Sequence, residues 1–290
     1  MVIPIGQPKR SGVGQTHILH AKAREHHWHG IGTLSIKCFF SGQAFYEVGR
    51  GCYLLDEHKY LILNHGQTYS ISIDSRQPVE SFCLFFAPGF LEEVHRSLTS
   101  RTDELTDLPQ CAPMPQVSFF EKTYRHDSVL SPLLFALHNA IHLRESDPIW
   151  LAGKLHEIAD ALIRVHAMEC RRAQSLSAVR PATREELYRR LHRARDYMLS
   201  LYHQPLTLDD LARVACLSPN HFLRMFKQAF RQTPHECLTA TRLDVACRML
   251  NRTDLSITDI CFAVGFQSPG SFSWLFRQRF GVPPSRYRKR

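Results

Sequence analysis

No apolar run in the 290-residue chain approaches the ~18 residues a membrane-spanning helix requires, which excludes a hydrophobic span. No CxxC pair occurs among its nine cysteines, Cys38, Cys52, Cys83, Cys111, Cys170, Cys216, Cys237, Cys247 and Cys261. An odd number of thiols with apolar neighbours does not read as a disulfide framework or a zinc ribbon. It reads as reduced cysteines serving as small core hydrophobes, and a cytoplasmic location is expected. The start, MVIPIGQPKR, has no basic segment followed by an apolar run, so no secretory signal is expected. The sequence also lacks GxSxG, a phosphate-binding P-loop and HExxH. No catalytic residue, no cofactor and no enzymatic activity are therefore expected.

What is present is an ordinary globular balance, 44% hydrophobic and 22% charged, over a length suited to two domains. The net charge of +9 is unevenly placed. Residues 1–183 hold 18 basic and 18 acidic side chains, whereas residues 184–290 hold 18 and 9, so the whole excess lies in the last third. A basic segment beside a neutral one predicts a module for a polyanion joined to something else.

From Leu34 to Phe86 the apolar pattern is short and strand-like: TLSIKCFF, GCYLL, YLILN, TYSISI and VESFCLFF, divided by Gly, Asn, Asp and Pro turns. Strands of this spacing predict an antiparallel barrel or sandwich. Residues 1–30 read as an arm and a first strand, APGFLEEVHRSLTS as a short helix, and the proline-containing 100–116 as a loop. Helical periodicity follows over Val129–Arg144 and Leu151–Cys170. The Leu/Ile stripe of the second helix can pack within the chain or against a second copy. The polar segment 171–183 is expected to be a linker.

The last third contains an internal repeat. Thr207–Pro234 aligns with Ser256–Pro284, sharing Asp210/Asp259, Ser218/Ser268, Pro219/Pro269, Phe226/Phe276, Gln228/Gln278, Phe230/Phe280 and Pro234/Pro284. Each copy reads as helix, tight turn, helix. Leu208, Leu211, Ala212 and Ala215 give one buried stripe. Ser218 stands where an N-cap oxygen can accept a free backbone N–H, and Pro219 where a missing N–H costs nothing. Phe222, Phe226 and Phe230, four apart, form the buried ridge of the second helix, and Phe272, Phe276 and Phe280 repeat it. Opposite the first ridge, Asn220, Arg224, Lys227 and Arg231 cluster, with Gln228 at the edge. Asn suits adenine and Arg suits guanine through paired hydrogen bonds in the major groove, while Lys suits phosphate. A single amphipathic helix with a solvated charged face would mean little; two matching units in a basic segment predict a pair of recognition helices over 219–230 and 269–280. Pro234–Asn251 reads as one rod between them.

On LDDLARVACLSPNHFLRMFKQAF, TRLDVACRML and ITDICFAVGFQSPGSFSWLFRQRFGVPPSRYR, the region Leu191–Arg290 resembles the AraC/XylS family of bacterial transcription regulators. The resemblance implies an α+β chain of two domains. An N-terminal cupin-like antiparallel β-barrel with following helices, for effector binding and dimerisation, would occupy 1–170. An all-α double helix-turn-helix domain would occupy 184–290, with units at 207–231 and 256–281. It implies a sequence-specific activator with double-stranded DNA and RNA polymerase as partners, a homodimer, and a small-molecule effector. Carried over by position, the base-reading residues are Asn220, Leu223 and Arg224 in the first unit and Gly270, Ser271 and Trp274 in the second. The phosphate contacts are His221, Lys227, Gln228, Arg231, Arg277 and Gln278. Gly270 and Trp274 depart from the first unit's Asn220 and Arg224, so the first unit is expected to supply most sequence discrimination.

For the N-terminal domain, the candidate effector pocket comprises Trp28, Tyr46, Tyr53, His65 and Tyr69. No metal site is expected: His27-Trp28-His29 has no glutamate a few residues on, and the other histidines show no ligand spacing. The alternatives are a ligand-free dimeric regulator, a cupin-type metalloenzyme fused to a DNA-binding tail, a thiol sensor using Cys38, Cys52 or Cys83, and an RNA-binding module. The last lacks the expected aromatic sheet motifs.

Overall fold

The computed structural model describes residues 16–99, 117–143, 147–177 and 180–288. The expected arm up to residue 15 and the expected loop 100–116 lie outside the described residues. The chain divides into two compact units, one ending at Arg189 and one spanning Arg190–Arg290.

The first unit opens with six strands: β1 (His17–Ile31), β2 (Ser35–Ser41), β3 (Gln43–Val48), β4 (Gly51–Asp56), β5 (Lys59–Leu63) and β6 (Thr68–Phe85). Helix α1 (Phe90–Thr99), strand β7 (Thr123–Arg125) and helices α2 (Ser131–His142) and α3 (Pro148–Gln174) follow. Every strand pairing is antiparallel, in the order β4-β3-β6-β2-β5-β7 with β1 along β6. The long β6 organises the sheet. One of its edges carries β1; the other carries β3 along its first half and β2 along its second. The result is a nearly closed antiparallel barrel, as the strand spacing predicted.

One expectation fails in β6. The sequence pattern divides TYSISI from VESFCLFF around Asp74 and Pro78, but the two form one strand of 18 residues. The pairing with β1 slips between Ala23 and Glu25, opposite Val79 and Asp74. This bulge leaves Pro78 outside the ladder, where its missing N–H costs no pairing bond.

Because strand side chains alternate, the sheet makes two cores. Phe39, Ala44, Tyr46, Val48, Tyr53, Leu55, Leu61, Leu63, Tyr69, Ile73 and Val79 fill the barrel interior. Ile36, Cys38, Tyr60, Ile62, Phe82 and Leu84 face the other way and pack on Leu91 and Val94 of α1, Leu134, Leu137 and Ile141 of α2, and Ile158, Leu162 and Val165 of α3. The apolar stripe of α3 is thus buried within the chain. Each fully buried aliphatic or aromatic side chain contributes about 1.5–3 kcal/mol. Of the expected linker 171–183, residues to Gln174 continue α3 and Pro181 opens helix α4 (Pro181–Ser200), within which the two units divide. RRAQ is a good helix-forming run, and Pro181 takes the first helical position, which suits proline.

The second unit continues through α5 (Leu208–Val214), α6 (Pro219–Phe230), α7 (Pro234–Arg252), α8 (Ile257–Ala263), α9 (Pro269–Phe280) and α10 (Pro284–Tyr287). The repeat is two helix-turn-helix units, α5–α6 and α8–α9, joined by the rod α7. Asp210 and Asp259, shared landmarks of the repeat, act at the helix starts. The Asp210 amide donates to Thr207 Oγ1 at 3.2 Å while its carboxylate accepts from the Thr207 amide at 3.1 Å. The Asp259 amide donates to Ser256 Oγ at 3.0 Å. Thr233 and Glu236 form the same reciprocal box on α7. Ser218 departs from expectation: it occupies the N-cap of α6 with extended backbone, but its hydroxyl makes no capping bond. Ser268 does accept one, from the Ser271 amide at 3.4 Å.

Candidate nucleic-acid interface and barrel interior

Both phenylalanine ridges are buried. Phe222, Phe226, Phe272 and Phe276 are fully enclosed, with Phe230 and Phe280 half-buried at the ridge ends. Successive rings lie 5.4 and 4.5 Å apart on α6 and 5.7 and 4.5 Å apart on α9. Rotating a helix so that this ridge faces inward forces the opposite face out. All six expected base-reading residues, Asn220, Leu223, Arg224, Gly270, Ser271 and Trp274, are exposed. Trp274 is 61% exposed, an unusual state for so large an apolar ring. Of the expected phosphate contacts, Lys227, Arg231, Arg277 and Gln278 are exposed, while His221 and Gln228 are half-buried.

Several cations elsewhere in the unit are engaged by neighbouring groups. Arg279 is clamped on Asp244 by two bonds of 3.0 and 2.9 Å, and Arg213 lies 3.3 Å from Asp210. Arg242 donates to the Tyr202 and Gln204 carbonyls at 2.7 and 2.9 Å. Among the described residues, Arg224, Lys227 and Arg277 make no ion pair. Cations left uncompensated on two matching helix faces suit a polyanion. Arg231 also shapes the backbone, taking the left-handed conformation (φ 58°) that ends α6, with its amide donating to the Lys227 carbonyl at 2.9 Å. Gly281 does the same for α9.

In the barrel, Tyr46 and Tyr53 are fully buried and Tyr69 nearly so. Trp28 packs on Tyr69 with ring centroids 4.7 Å apart, and Tyr46 lies 6.0 Å from Tyr69. Four of the five expected lining residues therefore meet. His65 does not join them. It is exposed in the turn after β5 and borders a shallow cleft with Leu34, Phe86, Leu91 and Val117. Strand parity does not carry past the end of β5, so His65 cannot be assigned to the interior by alternation.

The interior holds one charged group the sequence reading missed. Lys37 on β2 pairs with Cys83 on β6, and its amine lies 3.7 Å from the centre of the Phe85 ring and 5.2 Å from that of Tyr69. It is 2% exposed and has no ion pair among the described residues. Burial lowers its amine to about 8, against an opposing effect of the Cys83 charge. Burial pushes the Cys83 thiol up, despite Lys37, so it is not an activated thiolate. Burial raises Cys38 as well. The available signal was a lone Lys inside SIKCFF, the one charge in a short strand-like run.

Comparison with known proteins agrees with this geometry. A family model described as the AraC-like ligand binding domain matches residues 12–159, half of the chain, and a helix-turn-helix domain model matches residues 211–290. The chain belongs to the AraC/XylS family. AlkR, an HTH-type transcriptional regulator of Acinetobacter baylyi, is 28% identical over 181 residues, which are 55% of this chain and 58% of AlkR. RclR, an RCS-specific HTH-type transcriptional activator of Escherichia coli, is 34% identical over 104 residues, 36% of this chain and 37% of RclR. The matches thus span less than two thirds of the length of these relatives. A solved regulator with an AraC-type DNA-binding domain from Chromobacterium violaceum is 32% identical and has a TM-score of 0.33, covering 34% of this chain and 89% of its own. Among the described residues no helix is long and apolar enough to cross a membrane.

Proposed function

We propose that this chain is a cytoplasmic, sequence-specific DNA-binding transcription regulator, not an enzyme. The carrying observation is the pair of helices α6 and α9, each with a buried phenylalanine ridge and an opposite face of exposed polar and uncompensated basic side chains. Both faces enter the major groove of one duplex about one helical turn, ~34 Å, apart. Asn220 and Arg224 read bases from α6. On α9, Trp274 packs against thymine methyls and Ser271 adds a polar contact. Lys227, Arg231 and Arg277 hold phosphates, with His221, Gln228 and Gln278 at the edges.

In this reading the first unit is the effector-binding and dimerisation domain, and RNA polymerase is the partner through which the protein activates. The effector occupies the barrel interior among Trp28, Tyr46, Tyr53 and Tyr69. Lys37, a buried cation in an otherwise uncharged lining, suits an effector that carries negative charge. The deciding experiment is selection of duplexes from a random pool by the purified full chain at moderate ionic strength. Enrichment of a site with two half-elements one turn apart is the expected result. Retention of the pool without enrichment would sink the reading.

A further inference from the structure

We propose that His20, Glu80, His138 and His142 form a site for one divalent transition-metal ion of the zinc class, on the face of the sheet that packs against the helices. The four residues come from three elements. His20 lies on β1 and Glu80 on β6, where Lys22 and Glu80 are register partners. His138 and His142 are one turn apart on α2 and so project from the same side of that helix.

Glu80 Oε1 lies 2.7 Å from His20 Nε2 and 3.2 Å from His138 Nε2, and the nearest ligand atoms of these three residues all fall within 4.8 Å of one another. With zinc bonds of about 2.0–2.2 Å and tetrahedral angles, adjacent donor atoms sit about 3.3 Å apart. Coordination therefore requires only small side-chain movements. Rings bound to one such ion have centres about 5 Å apart by the same geometry. Here the His20 and His138 rings are 5.1 Å apart, and His142 is 6.1 Å from His138 and 6.4 Å from His20. Three imidazoles and a carboxylate make a closed four-donor set of the kind that holds zinc structurally.

The surroundings orient the donors. Lys22 Nζ lies 3.1 Å from Glu80 Oε2, which leaves Oε1 turned toward the histidines. Phe40 stacks on the His138 ring at 3.5 Å, with the planes 10° apart, and fixes its plane. Such outer contacts set ligand direction in metal sites. The side chains of His20, Glu80 and His138 are 11–16% exposed, whereas His142 is exposed and opens the group to solvent. The bound ion fastens β1 to α2, so its arrival stabilises the contact between the sheet and its helices.

The rival account is a hydrogen-bonded His-Glu-His group that serves packing alone. Metal uptake by the full chain separates the two, using Co²⁺ as a spectroscopic probe and Zn²⁺ as competitor. The proposal expects one Co²⁺ per chain with the visible absorption of a tetrahedral ion, displaced by Zn²⁺, and a melting temperature raised by Zn²⁺. His142→Ala changes an exposed residue and should leave the fold intact while weakening binding at least about tenfold. His20→Asn should also remove the tetrahedral absorption, and His156→Ala, an exposed histidine on α3, should change neither reading. Absence of uptake by the wild-type chain, or affinity unaltered by His142→Ala, overturns the proposal.

Discussion

The Lys122 ammonium lies 2.6 Å from the Glu169 carboxylate, with side chains only 7% and 4% exposed. Glu169 also accepts from the Tyr188 hydroxyl at 2.7 Å and from Arg172 at 2.6 Å. The group ties the segment before β7 to α3 and to the first turns of α4. Removing one partner leaves the other charge buried without its counterion, at a cost of about 3–5 kcal/mol. Glu169→Gln should therefore lower the stability of the first unit by that order, read from its transition in urea. The paired change Lys122→Met with Glu169→Leu should recover most of the loss, because no charge is then stranded.

The same carboxylate makes stability depend on pH. Burial alone would raise Glu169, but the Lys122 charge and the hydrogen bonds from Lys122 and Tyr188 outweigh it and hold the group below its ordinary 4.5. A depressed folded value means that the unfolded chain takes up the proton first. The pair's contribution is fully present above about pH 4.5 and disappears as pH falls through the depressed value. Wild type should lose stability over that acid range, and the Glu169→Gln variant should show a flatter profile there. Parallel profiles would refute the assignment.

Lys37 has the opposite consequence. Burial lowers its amine from 10.5 to about 8 with no acid beside it. A shift of this size costs the folded state about 3 kcal/mol. The cost is complete below about pH 8, where Lys37 is charged in both states, and vanishes as pH rises toward 10.5. Lys37→Met keeps length and volume without the charge, so it should stabilise the first unit at pH 7 and abolish the rise in stability between about pH 8 and 10.5. A variant less stable than wild type at pH 7 would show that the cation has an unseen partner.

How much of this was legible follows from how local each signal is. The ridges of Phe222, Phe226, Phe230 and Phe272, Phe276, Phe280 need only four-residue spacing, so both reading faces could be drawn from sequence. The same holds for the stripes of α2 and α3. Pro78 misled because a proline normally ends a strand, and the register slip that accommodates it arises only where β6 pairs with β1, far away along the chain. His20, Glu80 and His138 were invisible for a stronger reason: each is about sixty residues from the next, and only the pairing of β1 with β6 and the docking of α2 bring them together. Lys122 and Glu169 meet by the same long-range packing.

The two turns of the repeat allow an internal comparison. Gly265 has φ 93°, and a Cβ there would lie 2.8 Å from the His203 carbonyl oxygen and 3.0 Å from Arg242 Nη2. Cys216 holds the matching position of the first unit at φ 52°, with the same pattern of turn hydrogen bonds. A left-handed non-glycine residue costs about 1–3 kcal/mol. Gly265→Ala should cost at least that, since the backbone contact adds to the strain. Cys216→Gly should be neutral or stabilising by up to about 1 kcal/mol, the relieved strain offsetting glycine's greater unfolded freedom. Thermal melts of the two variants should move in these directions.

Arg224 and Trp274 stand at equivalent positions of α6 and α9, both exposed and opposite a buried phenylalanine ridge. Their chemistry is not equivalent. A guanidinium can make two directed hydrogen bonds to guanine, worth about 1–3 kcal/mol of discrimination, whereas an indole offers apolar contact and one donor. Arg224→Ala should weaken binding to the selected duplex by about 1–3 kcal/mol and relax preference at one base pair. Trp274→Ala should cost less and relax it less. Lys227→Ala should instead weaken all duplexes alike and reduce the slope of log affinity against log salt by about one. Titrations of the three variants against the selected and a scrambled duplex at two salt concentrations separate these effects. A larger specific loss from Trp274→Ala than from Arg224→Ala would transfer the reading role to the second unit.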